Sequence, residues 1–291
     1  MEKVNKKILV LGATGMLGHV LYNTLKKNTN HTIIDVVYRN KLTPDSIICD
    51  VTDKHKLAEV IQQTNPDIIV NCIGVLIKGS TNNPANAIYI NAYLPHELSA
   101  IAQKNNARVI HVSTDCVFSG AKGGYVESDF RDADDVYGRS KALGELFGQE
   151  SLTIRTSIIG PEIKAEGEGL LHWFLKQSGT IKGYTEAFWG GVTTLELSKA
   201  ILEAINQDVR GVINLTNGVA ISKFEMLKLF KTVFNREALT IDPFEGKKVD
   251  KSLKSERKDF NYVVPSYKVM FKEMHENMEA NKNIYSQNYK F

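Results

Sequence analysis

An apolar run, Ile8-Leu9-Val10-Leu11, ends in three evenly spaced glycines, Gly12-Ala13-Thr14-Gly15-Met16-Leu17-Gly18. A strand apolar on both faces belongs in a sheet covered on both sides. The residues from Met16 to Lys27 then have helical spacing. In a strand–turn–helix unit Gly12 permits the tight turn, Gly15 lets backbone approach a pyrophosphate, and Gly18 allows helix and strand to pack closely. Phosphate charge would meet the free N–H groups and positive end of the helix. On this reading Gly12, Thr14, Gly15, Met16, Leu17 and Gly18 cradle a dinucleotide. The spacing is GxxGxxG rather than GxGxxG, and an ordinary strand–helix turn is the plain alternative.

The alternation continues. Residues 32–38, 67–72 and 108–113 are β-rich, 92–105 has helical spacing, and 152–155 reads as a further strand before the turn at Gly160-Pro161. Buried strands separated by helices indicate an α/β fold with a doubly wound, Rossmann-like parallel sheet. The second half is less regular. Thr193-x-x-Glu196 and Ser222-x-x-Glu225 fit capping boxes before apolar-periodic stretches. The expected division is a dinucleotide-binding domain over 1–155 plus about 193–215, and a smaller, discontinuous α+β substrate-binding region over 156–192 and 216–291. The tail from Glu273, rich in Asn, Lys and Glu, is expected to be helical or loosely ordered.

Composition narrows the function classes. Of 291 residues 43% are hydrophobic, enough for a sizeable core, and the net charge is only +3, so nucleic acid is a poor expectation. The charged opening segment leads into too short an apolar run for a signal peptide, and no stretch approaches the roughly 20 apolar residues of a membrane span. Cys49, Cys72 and Cys116 form neither a zinc-like cluster nor an evident disulfide framework. A cytoplasmic protein without a metal site is expected.

The end of the second strand normally meets the adenosine ribose. Here Asp35 lies in mid-strand while Arg39 and Lys41 follow the strand. A basic residue there neutralises a 2′-phosphate, favouring NADP(H), with NAD(H) still possible; a solvated loop arginine is the alternative. Asp50-Val51, after the next short strand, either binds the adenine amino group or caps a helix.

A second signal lies downstream. Tyr137 and Lys141 in Tyr137-Gly138-Arg139-Ser140-Lys141 share one helix face, which Asp134 or Asp135 can cap. A tyrosine with an ordinary pKa near ~10 is a protonated donor at neutral pH, and a nearby ammonium favours its anion. Tyr137 is thus a candidate general acid for a developing alkoxide. Thr114 ends a strand at the carboxyl edge of the sheet, where ligands bind in this architecture, and can hold the same oxygen.

The chain resembles the extended short-chain dehydrogenase/reductases over nearly its whole length, and within them the dTDP-4-dehydrorhamnose reductase group of nucleotide-sugar 4-keto reductases. The closer match is carried by Val112-Ser113-Thr114-Asp115-Cys116-Val117-Phe118-Ser119-Gly120, Gly124-Tyr125-x-Glu127-x-Asp129 and Val136-Tyr137-Gly138-Arg139-Ser140-Lys141-x-x-Gly144-Glu145. The resemblance implies Thr114, Tyr137 and Lys141 as the catalytic set, with Lys141 also holding the nicotinamide ribose. It implies that Asn71-Cys72-Ile73-Gly74 lines the cofactor. The group usually has a tyrosine where this chain has Cys116, and an alanine-rich segment at Cys72-Ile73-Gly74-Val75-Leu76-Ile77. The implied activity is NAD(P)H-dependent reduction of a nucleotide-activated 4-keto-6-deoxy sugar for a surface polysaccharide, in a protein that is often a homodimer.

Asp115 and Cys116, beside Thr114, are candidate substrate contacts, as are Arg155 and Thr156 after the sixth strand. A structural ion pair is an equal alternative for Arg155. Trp173 and Trp189 could stack on a base or sugar, although large aromatics are more often core. His111 reads as a satisfied interior histidine, His172 as a helix-surface one. Cys116 has no histidine beside it in sequence to activate it. Two further functions use the same fold: an epimerase or dehydratase retaining its NAD, and a non-catalytic regulatory subunit. The absence of a glutamate after Asp115 argues against the dehydratase, and the intact Thr114, Tyr137 and Lys141 set argues against the subunit.

Overall fold

The computed structural model describes residues 5–289. Met1 to Val4 of the charged opening segment, and the last two residues of the tail, lie outside the described residues.

The first half alternates as its pattern requires. Strand β1 (Lys7–Leu11) is followed by α1 (Gly18–Asn28), β2 (Thr32–Val37), β3 (Ile47–Ile48), α2 (Lys54–Thr64) and β4 (Ile68–Asn71). Short helices α3 (Ile77–Asn82) and α4 (Pro84–Ala87) lead through a π-helical turn (Ile88–Tyr93) into α5 (Leu94–Lys104). Then come β5 (Arg108–Ser113), a 3₁₀ turn (Asp115–Val117), α6 (Val136–Leu143) and β6 (Ser151–Arg155). The second half holds β7 (Ile158–Ile159), α7 (Leu170–Leu175), β8 (Thr180–Tyr184), β9 (Ala187–Trp189), β10 (Val192–Thr193), α8 (Thr194–Asn206) and β11 (Gly211–Asn214). It ends with β12 (Ile221–Ser222), α9 (Lys223–Val233), β13 (Thr240–Phe244), β14 (Val249–Asp250), α10 (Tyr267–Ala280) and α11 (Lys282–Tyr285).

Seven strands form one sheet in the order β11-β6-β5-β4-β1-β2-β3, with every pairing parallel. Alternation within β1 explains its uninterrupted apolar run. Ile8 and Val10 face the core cluster that includes Leu21 and Ile201. Leu9 and Leu11 face the one with Leu57 and Leu98. The chain order reverses between β1 and β4, so a crevice opens beyond their carboxyl ends, where this architecture binds ligands.

The pieces outside this sheet are short: β10 pairs β7, β9 lies between β12 and β14, and β13 pairs β8. Capping at α8 and α9 is half of the expected box. Thr193 and Ser222 accept the N–H groups of Glu196 and Glu225. Glu196 then turns to the Tyr262 hydroxyl, and Glu225 to Lys228. The tail is helical through α10 and α11, and its Tyr285 and Tyr289 side chains are buried. Among the described residues no helix is long and apolar enough to cross a membrane.

Candidate active site

Gly12 begins the site. Its φ of +78° suits glycine, and a Cβ there would meet Ile73 Cγ1 at 2.8 Å. The Gly12 and Ala13 N–H groups donate to the Val36 carbonyl at 3.0 and 3.1 Å, tying the loop to the end of β2. At Gly18 a Cβ would stand 2.2 Å from the Gly12 carbonyl oxygen, so α1 packs directly on the turn. His19, fully buried on α1, donates from Nδ1 to the Gly15 carbonyl at 2.7 Å and accepts from the Tyr285 hydroxyl at 3.0 Å. Burial lowers its pKa to about 4 and so keeps it neutral.

In front of the loop lies a cleft of about 750 Å³. Thr14 to Leu17 and Cys72 to Gly74 line one side, and Thr114, Cys116, Tyr137 and Lys141 line another. Thr156 and the loop from Ser157 to Gly169 supply the outer wall. The volume is in the range of small-molecule and cofactor sites. The open cradle at Thr14-Gly15-Met16-Leu17 and the polar groups opposite it fit a dinucleotide. Among the described residues there is no His/Cys/Asp/Glu group of three or more able to hold a metal.

The proton-transfer residues sit on two adjoining elements. Asp135 caps α6 by accepting the Gly138 N–H at 2.8 Å, so Tyr137 and Lys141 fall on successive turns. A Cβ on Gly138 would stand 2.2 Å from the Cys116 carbonyl oxygen. That close approach brings α6 against the turn after β5 and lets the phenol reach Thr114. Thr114 donates to Asp115 at 3.1 Å and accepts the Cys116 N–H at 3.1 Å, which fixes its rotamer.

Burial raises the Tyr137 pKa above its ordinary value, Cys116 adds to the rise, and hydrogen bonding to Thr114 opposes it. The phenol therefore stays protonated across neutral pH. The expected partner behaves differently. Lys141 donates to the Val112 carbonyl at 2.7 Å and its Nζ lies 3.2 Å from His111 Nε2. Burial pulls its pKa down to about 8, partly offset by Glu145 and Cys72. The lysine is thus engaged by β5 instead of pressing the phenol toward its anion.

Burial pushes the thiols of Cys72 and Cys116 up to about 12, which leaves them protonated at neutral pH. Asp115 is buried beneath Thr114, with its pKa raised first by burial, and does not line the cleft. It holds the threonine instead of facing solvent.

Several expected contacts lie elsewhere. Arg155 is fully buried and bidentate on Glu145, Nε and a terminal nitrogen each donating at 2.7 Å, so the structural ion pair is the correct alternative. Trp189 is core, packed on Tyr267 and Phe271 with centroids 5.5 and 6.3 Å away. Trp173 is exposed on α7 and does not line the cleft. His172 is buried, not on the surface, and pairs with the Tyr289 hydroxyl at 3.1 Å. Its neighbour Trp173 takes the outward face that the short helix offers.

Val51 packs into the core, and the Asp50 carboxylate accepts the Thr52 N–H at 2.9 Å and its hydroxyl at 2.7 Å, so Asp50 closes a turn. Arg39 is exposed beyond β2, its guanidinium 4.4 Å over the Tyr38 ring. Asp35 is buried and taken by the hydroxyls of Ser46 and Thr43, so its carboxylate is already occupied.

The sequence reading missed the outer wall: Ser157, Glu162, Lys164, Glu168 and Gly169 all line the cleft. The charged run directly after Gly160-Pro161 was the available signal, since a polar loop leaving the carboxyl end of a strand faces the crevice. Its anchoring was not legible. Tyr289 accepts the Glu162 N–H at 2.9 Å, and the Asn288 amide donates to the carbonyls of Glu162 and Lys164 at 2.8 and 3.1 Å, from the far end of the chain.

The comparisons agree with this architecture. A probable low-salt glycan biosynthesis reductase, Agl14, of Haloferax volcanii is 25% identical over 80% of this chain and 82% of its own length. The crystal structure of a hypothetical dTDP-4-dehydrorhamnose reductase from Sulfolobus tokodaii is 26% identical and superposes with a TM-score of 0.76, covering 90% of this chain and 98% of that one. The dTDP-4-dehydrorhamnose reductase of Bacillus anthracis in complex with NADP shares the fold at 20% identity, with a TM-score of 0.79 over 94% of this chain and 100% of that one. The family model for the RmlD substrate binding domain matches residues 6–258, and the chain belongs to that family.

Proposed function

We propose that this protein is an NADPH-dependent reductase of a nucleoside-diphosphate 4-keto-6-deoxy sugar that serves glycan assembly. The observation that carries the reading is the convergence of Thr114, Tyr137 and Lys141 on one cleft bounded by the glycine loop. The names of the relatives supply the substrate class.

The glycine loop and Cys72-Ile73-Gly74 would hold the dinucleotide, and NADPH supplies the hydride when bound. Thr114, held by the Cys116 N–H, would turn its single O–H from Asp115 to the keto oxygen and orient it. Tyr137 would donate its phenolic proton to that oxygen, so that the reduced ketone leaves as an alcohol. Lys141 would hold the nicotinamide ribose. Arg39, exposed beyond the end of β2, would meet a 2′-phosphate and favour NADPH over NADH. The sugar nucleotide would lie against the region built from 156–192 and 216–291, and residues 1–155 with about 193–215 would carry the cofactor.

The test is a panel of nucleoside-diphosphate 4-keto-6-deoxy sugars, each incubated with protein and with NADPH or NADH while absorbance of the reduced cofactor is followed. Oxidation with at least one member, faster with NADPH, is the expected result. No oxidation of either cofactor with any member defeats the proposal.

A further inference from the structure

The atoms around Lys141 impose an order of donors and acceptors. The Asn71 side-chain oxygen is committed, because it accepts the Ile73 backbone N–H at 3.1 Å. The amide nitrogen must then face His111, where Nδ2 lies 3.1 Å from Nδ1, and it can only donate. An imidazole nitrogen that accepts carries no proton, so the single proton of a neutral ring sits on Nε2. That nitrogen lies 3.2 Å from Lys141 Nζ. An ammonium has donors only, and two donors would meet head on. A neutral amine removes the conflict: its lone pair accepts the Nε2–H while one of its own N–H bonds still reaches the Val112 carbonyl at 2.7 Å.

We propose that His111 is a positioning residue: locked in its Nε2–H tautomer by Asn71, it favours the neutral, accepting form of Lys141 in the ligand-free protein and so lowers the pH at which the lysine gives up its charge. The pair thereby sets the pH range in which the cleft carries fixed positive charge beside Tyr137. This rests on the reductase reading for its relevance, not for its geometry.

The other groups facing the pair are consistent with it. Glu145 favours the ammonium, but its oxygens accept from Arg155, Arg131 and Ser113. Cys72, at the end of β4, is a protonated thiol, and Tyr137 stands one turn back on α6. His96 of α5 and Lys141 itself both disfavour charge on His111, and burial disfavours it most, so the ring stays neutral.

The experiment uses the full ligand-free chain. Nitrogen-15 shifts of the His111 ring report the tautomer, and carbon-13 shifts of labelled lysine, assigned with Lys141→Arg, report the lysine titration. An Nε2–H tautomer is expected, with Lys141 titrating well below an ordinary lysine. In His111→Gln the side-chain amide can turn its oxygen toward the lysine. In Asn71→Asp the carboxylate accepts from Nδ1 and makes Nε2 an acceptor. Both changes should move the lysine titration upward by about one pH unit or more.

An Nδ1–H tautomer in the unaltered protein overturns the proposal whether or not the variants fold. So does a lysine titration that stays in place in folded His111→Gln and Asn71→Asp. Neither readout involves cofactor or substrate. Failure here leaves the reductase reading standing, and failure of the sugar panel leaves this result standing.

Discussion

Two cations are buried close to the carboxyl edge of the sheet, and they are treated in opposite ways. Arg155, at the end of β6, meets both oxygens of Glu145, and its other terminal nitrogen donates to the Glu127 carbonyl at 3.0 Å. Ser113 and Arg131 donate to the same carboxylate at 2.8 and 3.2 Å. Among the described residues Lys141, on α6, hydrogen-bonds only to a backbone carbonyl and an imidazole. A neutralised, fully bonded charge stabilises a junction and has no capacity left over. A buried amine with no carboxylate in contact keeps its bonding capacity and a pKa near the working range, as functional sites require. The difference teaches why Arg155 is structural and Lys141 is the candidate for chemistry, although both are basic residues in the same neighbourhood.

The sharpest test of the functional side is Tyr137→Phe. Removing a general acid should lower kcat by about 10²–10⁴-fold, while NADPH affinity measured by fluorescence titration changes little. A variant with full turnover would leave Thr114 and Lys141 without a proton donor to serve.

The comparison itself can be broken by stability measurements. Glu145→Gln strands Arg155 in the core and should cost about 3–5 kcal/mol in denaturant unfolding. Lys141→Met removes a buried amine that no carboxylate contacts, and should change stability by only about 1 kcal/mol while abolishing reduction. Equal destabilisation by the two variants would erase the distinction.

A smaller effect is the pH dependence. Lys141 has a lowered pKa of about 8, so it is charged below that pH and neutral above it. The kcat/KM for reduction should fall through about pH 8 with loss of one proton. For stability the sign is the reverse. Between the folded value and that of an ordinary lysine the unfolded chain binds more protons, so the Lys141 contribution rises with pH across that window. Lys141→Met should flatten both curves.

The smallest expected change is Tyr285→Phe, which strips one partner from the buried His19 and should cost about 1 kcal/mol. With a folded pKa lowered to about 4, His19 loses stability as pH falls from its ordinary value of 6.5 toward 4. His19→Gln should shrink that acid loss in a thermal melt.

Much of the fold was legible because it rests on local rules. The apolar runs of β1, β4 and β5, the glycine spacing and the Asp135 cap each follow from neighbouring residues. Boundaries shifted where packing overruled pattern: α1 starts at Gly18 instead of Met16, because the turn from Gly12 occupies the residues before it. The stretch over 92–105 opens inside a π-helical turn, in which Asn91 places its amide on Val75 and Ser140. Trp189 and His172 were misplaced or left open because short, irregular elements give no period from which a facing direction can be read, and Arg155 was left open because its partner Glu145 reaches it only through the packing of β6 on the residues after α6.

The sequence by itself determined the parallel sheet, the cradle at its edge and the placing of Tyr137 and Lys141 on one helix face, since each depends on spacing along a few residues. Tertiary structure decided which polar residues are already spent. Glu145 neutralises Arg155 across 10 positions, and Asn71 orients His111 across 40. The tail tyrosines brace the glycine loop and the outer wall from the opposite end of the chain. Hydrogen-bond capacity is consumed by contacts between distant residues, and no local pattern encodes which partner arrives.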